Sequence, residues 1–105
     1  MRPSTSDAVL VQLMAAGDLI AQRELCRRHR LLVYGQVYAI LWDAVAAELA
    51  VSEAFAQAWR QARQFDPGRG SAPDWLSGIA RAVALRRRSA LHDAAMDSQA
   101  PNWRS

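Results

Sequence analysis

The sequence predicts an all-α protein, a compact bundle of about four helices in one domain. Three observations carry this. Ala, Leu, Arg, Gln and Glu dominate, and no alternating β-branched run appears. Residues that cap or close helices (Asp7, Gly17, Asp18, Asp43 and Ser71) recur at helix-length spacings. With 105 residues, 51% of them apolar, the chain can bury a single modest core.

The elements follow in chain order. Residues 1–6 are expected to be a disordered N-terminus. Asp7 is the expected cap of a short first helix that Gly17 closes, and Asp18 caps the second. From Leu31 to Trp42 this second helix is apolar nearly all round, which predicts a central helix covered on several sides. Asp43 offers the next break and cap. A third helix, about Ala44 to Gln64, places Val51, Phe55, Trp59 and Ala62 on one apolar stripe, with Glu53, Gln57, Arg60 and Gln64 opposite. Leu49 also projects on the polar side, where packing against a neighbouring helix is the expected reason for an apolar residue.

Phe65 to Gly70 reads as an interhelical loop, and Ser71, Ala72, Pro73 and Asp74 read as a helix start. Ser71 is the cap, Pro73 fits a first turn that needs no amide donor, and Asp74 favours the positive helix end. In the fourth helix Trp75, Leu76, Ile79, Ala80 and Val83 form the core stripe, while Arg81 and Arg88 share the solvent side. The helix end, with Arg86, Arg87 and Arg88, is expected to project beyond the bundle. The domain thus spans 7–91, and 92–105 has the composition of a linker or flexible tail, in which Trp103 is expected to dock weakly on the domain or a partner.

Composition narrows the function. The formal net charge is +3 and every Lys or Arg position is Arg, a side chain that pairs bidentately with phosphate and stacks on bases. Cys26 is the one cysteine, so no internal disulfide forms, and its helical neighbours predict a small buried apolar role. His29 and His92 lie far apart with no second His or Cys at ligand spacing, which leaves no metal site and no cofactor to expect. Glu48 and Glu53 point to different helix faces, and Gly68-Arg69-Gly70-Ser71 lacks the Lys and preceding strand of a nucleotide-hydrolase loop. A catalytic role is not expected. The N-terminus lacks the apolar core of a signal peptide, and the longest apolar run is too short for a membrane span, so a cytoplasmic location is expected.

Taken together, Asp7-Ala8-Val9-Leu10, Gly17-Asp18, Val33-Tyr34, Ala47-Glu48, Glu53-Ala54-Phe55, Trp59-Arg60, Phe65-Asp66-Pro67, Gly70-Ser71-Ala72 and Trp75-Leu76 form an ordered series. It resembles region two of bacterial sigma factors of the extracytoplasmic-function (ECF) class, over about Asp7 to Ala90. The resemblance implies a transcription-initiation module that docks on the β′ clamp helices of RNA polymerase core and recognises the promoter −10 element by holding the non-template strand, one base flipped into a loop pocket. Carried over by position, Leu49, Ser52, Glu53, Ala56 and Arg60 belong to the polymerase surface. Phe65, Asp66, Arg69, Gly70, Ser71 and Ala72 belong to the pocket loop, and Arg81, Arg86, Arg87 and Arg88 to the DNA-binding helix, with Trp75 nearby but explained by burial. Gly68 and Gly70 permit close backbone approach.

The chain departs from the family pattern at three points. Where such factors show an acidic residue followed by a Gln-Glu pair, Leu49, Ser52 and Glu53 stand here. Arg86 occupies a position where Asp is common. A complete factor carries a second helical domain, region four, whereas a short tail follows Leu91, which fits an excised domain or a lone module. The altered third helix motivates an alternative, a sigma-like interaction module with weakened polymerase binding and a protein partner such as an anti-sigma factor.

Overall fold

The computed structural model describes residues 4–98, with side chains described to residue 94. Four helices follow one another: α1 (Asp7–Ala15), α2 (Leu19–Leu41), α3 (Ala44–Gln61) with a 3₁₀ turn at Ala62–Gln64, and α4 (Ala72–Ser98). Among the described residues there is no strand. α2, α3 and α4 pack mutually, and α1 lies across α2 and the end of α3.

Each boundary has a local cause. Ser6, one residue before the expected cap, starts α1: its hydroxyl accepts from the Val9 amide at 3.2 Å. Asp7 is thereby freed to reach α2, where its carboxylate meets His29 Nε2 at 2.9 Å and Arg28 Nη1 at 3.2 Å. Gly17 takes φ +93° at the turn, a conformation that L side chains resist. Asp18 then caps α2, accepting from Ile20 and Ala21 at 2.9 and 3.1 Å. Asp43 caps α3 through the Ala46 amide at 2.7 Å, and Ser71 caps α4 through the Asp74 amide at 3.2 Å.

The apolar second half of α2 is not enclosed on several sides, contrary to expectation. Ala21, Leu25, Val33 and Val37 are buried at spacings of four or its double, whereas Leu31 is 85% exposed and Leu32, Tyr38 and Trp42 also face solvent. The reason is that α1, α3 and α4 all meet α2 along one stripe. The helix is more one-sided than its composition indicates.

The core is shallow. Of its twenty residues nine are alanines, among them Ala47, Ala50, Ala54 and Ala58 on α3 and Ala80 and Ala84 on α4, so the buried faces of these two helices carry little side-chain bulk for their length. Leu10, Val11, Leu25, Val37, Val51 and Val83 supply the bulk, each worth about 1.5–3 kcal/mol of burial. Cys26 is half-buried against this core, and burial pushes its thiol up from the ordinary value. α4 does not stop at the expected Leu91 boundary but continues to Ser98. Trp103 lies outside the described residues.

Candidate functional site

The loop after α3 is built around Asp66. Its Oδ1 accepts from the Gly68 amide at 2.8 Å, and its carbonyl accepts from the Arg69 amide at 3.0 Å, closing a tight turn over Pro67. A Cβ at Gly68 would stand 3.2 Å from that Oδ1 and crowd the turn. At the loop's base Phe65 packs on Trp75, ring centroids 5.2 Å apart and planes tilted by 50°. Residues ten apart in sequence therefore form one aromatic wall.

That wall bounds a cavity of about 290 Å³ whose rim is Gln64, Asp66, Arg69, Gly70, Ser71 and Asp74. Its size is at the lower end for small-ligand pockets, enough for a single base with its sugar. An aromatic floor, two carboxylates, a hydroxyl and one guanidinium give it stacking, acceptors and a cation. The Arg69 side chain is 89% exposed, 3.8 Å from Asp66, and so free to swing to a phosphate.

Five of the six residues assigned to this loop by sequence line the cavity: Phe65, Asp66, Arg69, Gly70 and Ser71. Ala72 is buried beneath them and faces the core instead. Gln64, Asp74 and Trp75 belong to the cavity although the sequence reading left them out of the site. Trp75 was read as core; it is half-buried and does both jobs. Its place in the first turn after the Ser71 cap, beside a loop, was the available signal. Ser71 Oγ, the cap of α4, takes one of the helix's first amides.

The four arginines of α4 divide into two pairs. Arg81 and Arg88 are exposed, with no ion pair among the described residues. Arg87 Nη2 donates to Glu53 Oε1 at 3.1 Å, and Arg86 Nη2 reaches Gln57 Oε1 at 3.2 Å and Glu53 Oε2 at 3.5 Å. Glu53 therefore ties α3 to α4. Gln36 and Ser77 join α2 to α4 in the same way, the amide donating at 2.9 Å.

On α3, Leu49, Ser52, Ala56 and Arg60 are exposed along one stripe with Glu53 half-buried beside them. The expected packing of Leu49 against a neighbour does not occur, since it is 52% exposed at the edge of a groove toward α4. Glu48 pairs with Arg30 at 2.7 Å. No group of three or more His, Cys, Asp or Glu side chains able to hold a metal occurs among the described residues, and no described helix is long and apolar enough to cross a membrane.

Comparison with known proteins is consistent with this geometry. The family described as Sigma-70 region 2 matches residues 25–92, which takes in most of α2, all of α3, the loop and most of α4. The ECF RNA polymerase sigma factor SigK of Mycobacterium sp. (strain KMS) is 35% identical over 79 residues, covering 75% of this chain and 41% of that protein. The proteins of the same name in Mycobacterium bovis (strain BCG / Pasteur 1173P2) and Mycobacterium tuberculosis (strain ATCC 25618 / H37Rv) are 33% identical over 86 residues, covering 82% of this chain and 46% of theirs. The chain spans under half the length of these relatives.

Proposed function

Because the chain belongs to the sigma-70 region 2 family, in its ECF branch, we propose that it is a promoter-recognition module that acts with RNA polymerase in the cell interior. The loop cavity would capture a base flipped from the non-template strand of the −10 element. Phe65 and Trp75 would replace the stacking lost on flipping, and the Asp66, Ser71 and Asp74 acceptors would meet the base edge. Arg69, Arg81 and Arg88 would carry the flanking phosphates. The α3 stripe of Leu49, Ser52, Glu53, Ala56 and Arg60 would lie on the β′ clamp helices.

The single observation that carries the reading is the cavity itself. A family-matched loop folds into an aromatic-floored pocket of one-base size with unpaired guanidiniums beyond it. Fluorescence anisotropy tests it: a non-template −10 oligonucleotide should bind more tightly than its duplex at low salt. Arg81→Ala with Arg88→Ala should lower the salt slope by about 0.7 per lost phosphate contact on single-stranded DNA. Equal affinity for both forms, or an unchanged slope, would remove the DNA half of the proposal.

A second reading has its own support. Leu49 and Ser52 offer no charge, and Glu53 is engaged by Arg86 and Arg87, so the α3 stripe presents little of the acidic character expected toward polymerase. In this reading the module binds a protein partner such as an anti-sigma factor and engages polymerase weakly. Co-purification with core polymerase separates the two. Capture that competes with another sigma factor would count against the second, and capture appearing only after Leu49→Asp with Ser52→Gln would support it.

A further inference from the structure

The start of α3 and the far half of α4 enclose a groove of about 400 Å³, lined by Val45, Leu49 and Leu91 with Asp43 and Arg87 beside them. All three apolar residues are at least half exposed, Val45 at 73%. Directly before Asp43 stands Trp42, 75% exposed and held at φ +53°. A non-glycine residue is strained in that region, and a glycine would end α2 without the strain. An indole is therefore displayed in water, at a backbone penalty, on the residue next in sequence to the Asp43 that lines the groove. Among the described residues its ring neighbour is Tyr38, centroids 5.7 Å apart.

The charges of the groove are also incomplete. Asp43 spends one oxygen on the Ala46 amide and has no ion pair among the described residues. Arg87 donates Nη2 to Glu53, yet its side chain stays 31% exposed beside the groove. The patch thus combines an exposed aromatic, an apolar groove, an acid with no ion pair among the described residues and a partly exposed cation.

We propose that this patch is the interface of a two-fold dimer of the chain. A two-fold axis makes such a patch its own complement: Trp42 of each copy lies on the groove of the other, and Asp43 of each faces Arg87 of the other. Acid and base then match twice with no outside charge required. A contact built on one groove and one indole per copy is small, and a dissociation constant on the order of 10 μM is expected. The inference goes beyond the promoter reading and does not depend on it, since neither polymerase nor DNA is involved. Where both hold, dimerisation and polymerase docking compete for Leu49.

Sedimentation equilibrium of the chain from about 1 to 200 μM tests it. The mass should double across this range, and Leu49→Asp should remain monomeric throughout. Asp43→Arg alone and Arg87→Asp alone should also be monomeric, because each sets like charges opposite one another twice. An equimolar mixture of these two should recover a heterodimer, since both contacts then pair opposite charges. A wild type that stays monomeric, a Leu49→Asp variant that still dimerises, or a mixture of folded variants that fails to associate would overturn the proposal. If loss of the Asp43 cap unfolds its variant, as circular dichroism would reveal, the Leu49→Asp comparison decides alone.

Discussion

Glu24 accepts from two guanidiniums at once, Arg27 Nε and Arg28 Nε each at 3.0 Å. Arg27 first and Arg28 second hold its carboxyl at about 2, against an ordinary 4.5. The unfolded chain takes up this proton near 4.5 and the folded one near 2, so within that window the unfolded state binds more protons and stability falls as pH falls. Above the window the contribution is fully present. Glu24→Gln should flatten the loss of stability across that interval, which urea midpoints at pH about 5 and about 2.5 would reveal. Gly17 poses a different single-residue problem. A Cβ there meets nothing within 4 Å, yet φ is +93°, so Gly17→Ala isolates the backbone cost. Thermal melts should register a destabilisation of about 1–2 kcal/mol, with no loss of packing.

Among the elements, the contact of α3 with α4 is the most constrained because it is made by alanines. Ala58 of α3 is fully buried, and Ala58→Leu would force α3 away from the helices packed on it. Overpacking of this kind costs about 1–3 kcal/mol, measurable by chemical denaturation, and should also disturb the Glu53 link to Arg86 and Arg87. The same contact shows what could be read from residues alone. Caps at Asp18, Asp43 and Ser71 declare themselves, because an N-cap is a local bond spanning two or three residues. The pocket loop was legible for the same reason: Asp66 to Ser71 close it with bonds of short sequence separation. What escaped depends on distant partners. Nothing near Trp75 states that it meets Phe65, nothing near Arg87 states that Glu53 awaits it, and the exposed apolar half of α2 shows that composition alone does not specify which side its neighbours occupy. The continuation of α4 to Ser98 escaped because polar, Ala-rich sequence suits a solvated helix as well as a tail.

Across the whole molecule, the two surfaces assigned by the family resemblance meet at one carboxylate. Glu53 lies on the α3 stripe proposed for polymerase, yet its oxygens are engaged by Arg86 and Arg87 from the helix proposed for DNA. Both arginines are partly exposed, Arg86 at 59% and Arg87 at 31% of the side chain, so these pairs contribute little to stability. Their larger effect is on which charges are available. While Glu53 holds them, Arg81 and Arg88 are the α4 cations free for phosphate. Glu53→Gln should leave the melting temperature nearly unchanged but release two guanidiniums on the DNA side. The affinity for single-stranded DNA should then rise at low salt, and the slope of log K against log salt should steepen by up to about 0.7 for each arginine that reaches a phosphate. Adding Arg86→Ala and Arg87→Ala to Glu53→Gln should return the slope to the wild-type value, which separates released cations from a general loss of negative charge. If Glu53→Gln alone leaves the slope unmoved, Arg86 and Arg87 serve as struts between α3 and α4, and DNA binding rests on Arg69, Arg81 and Arg88.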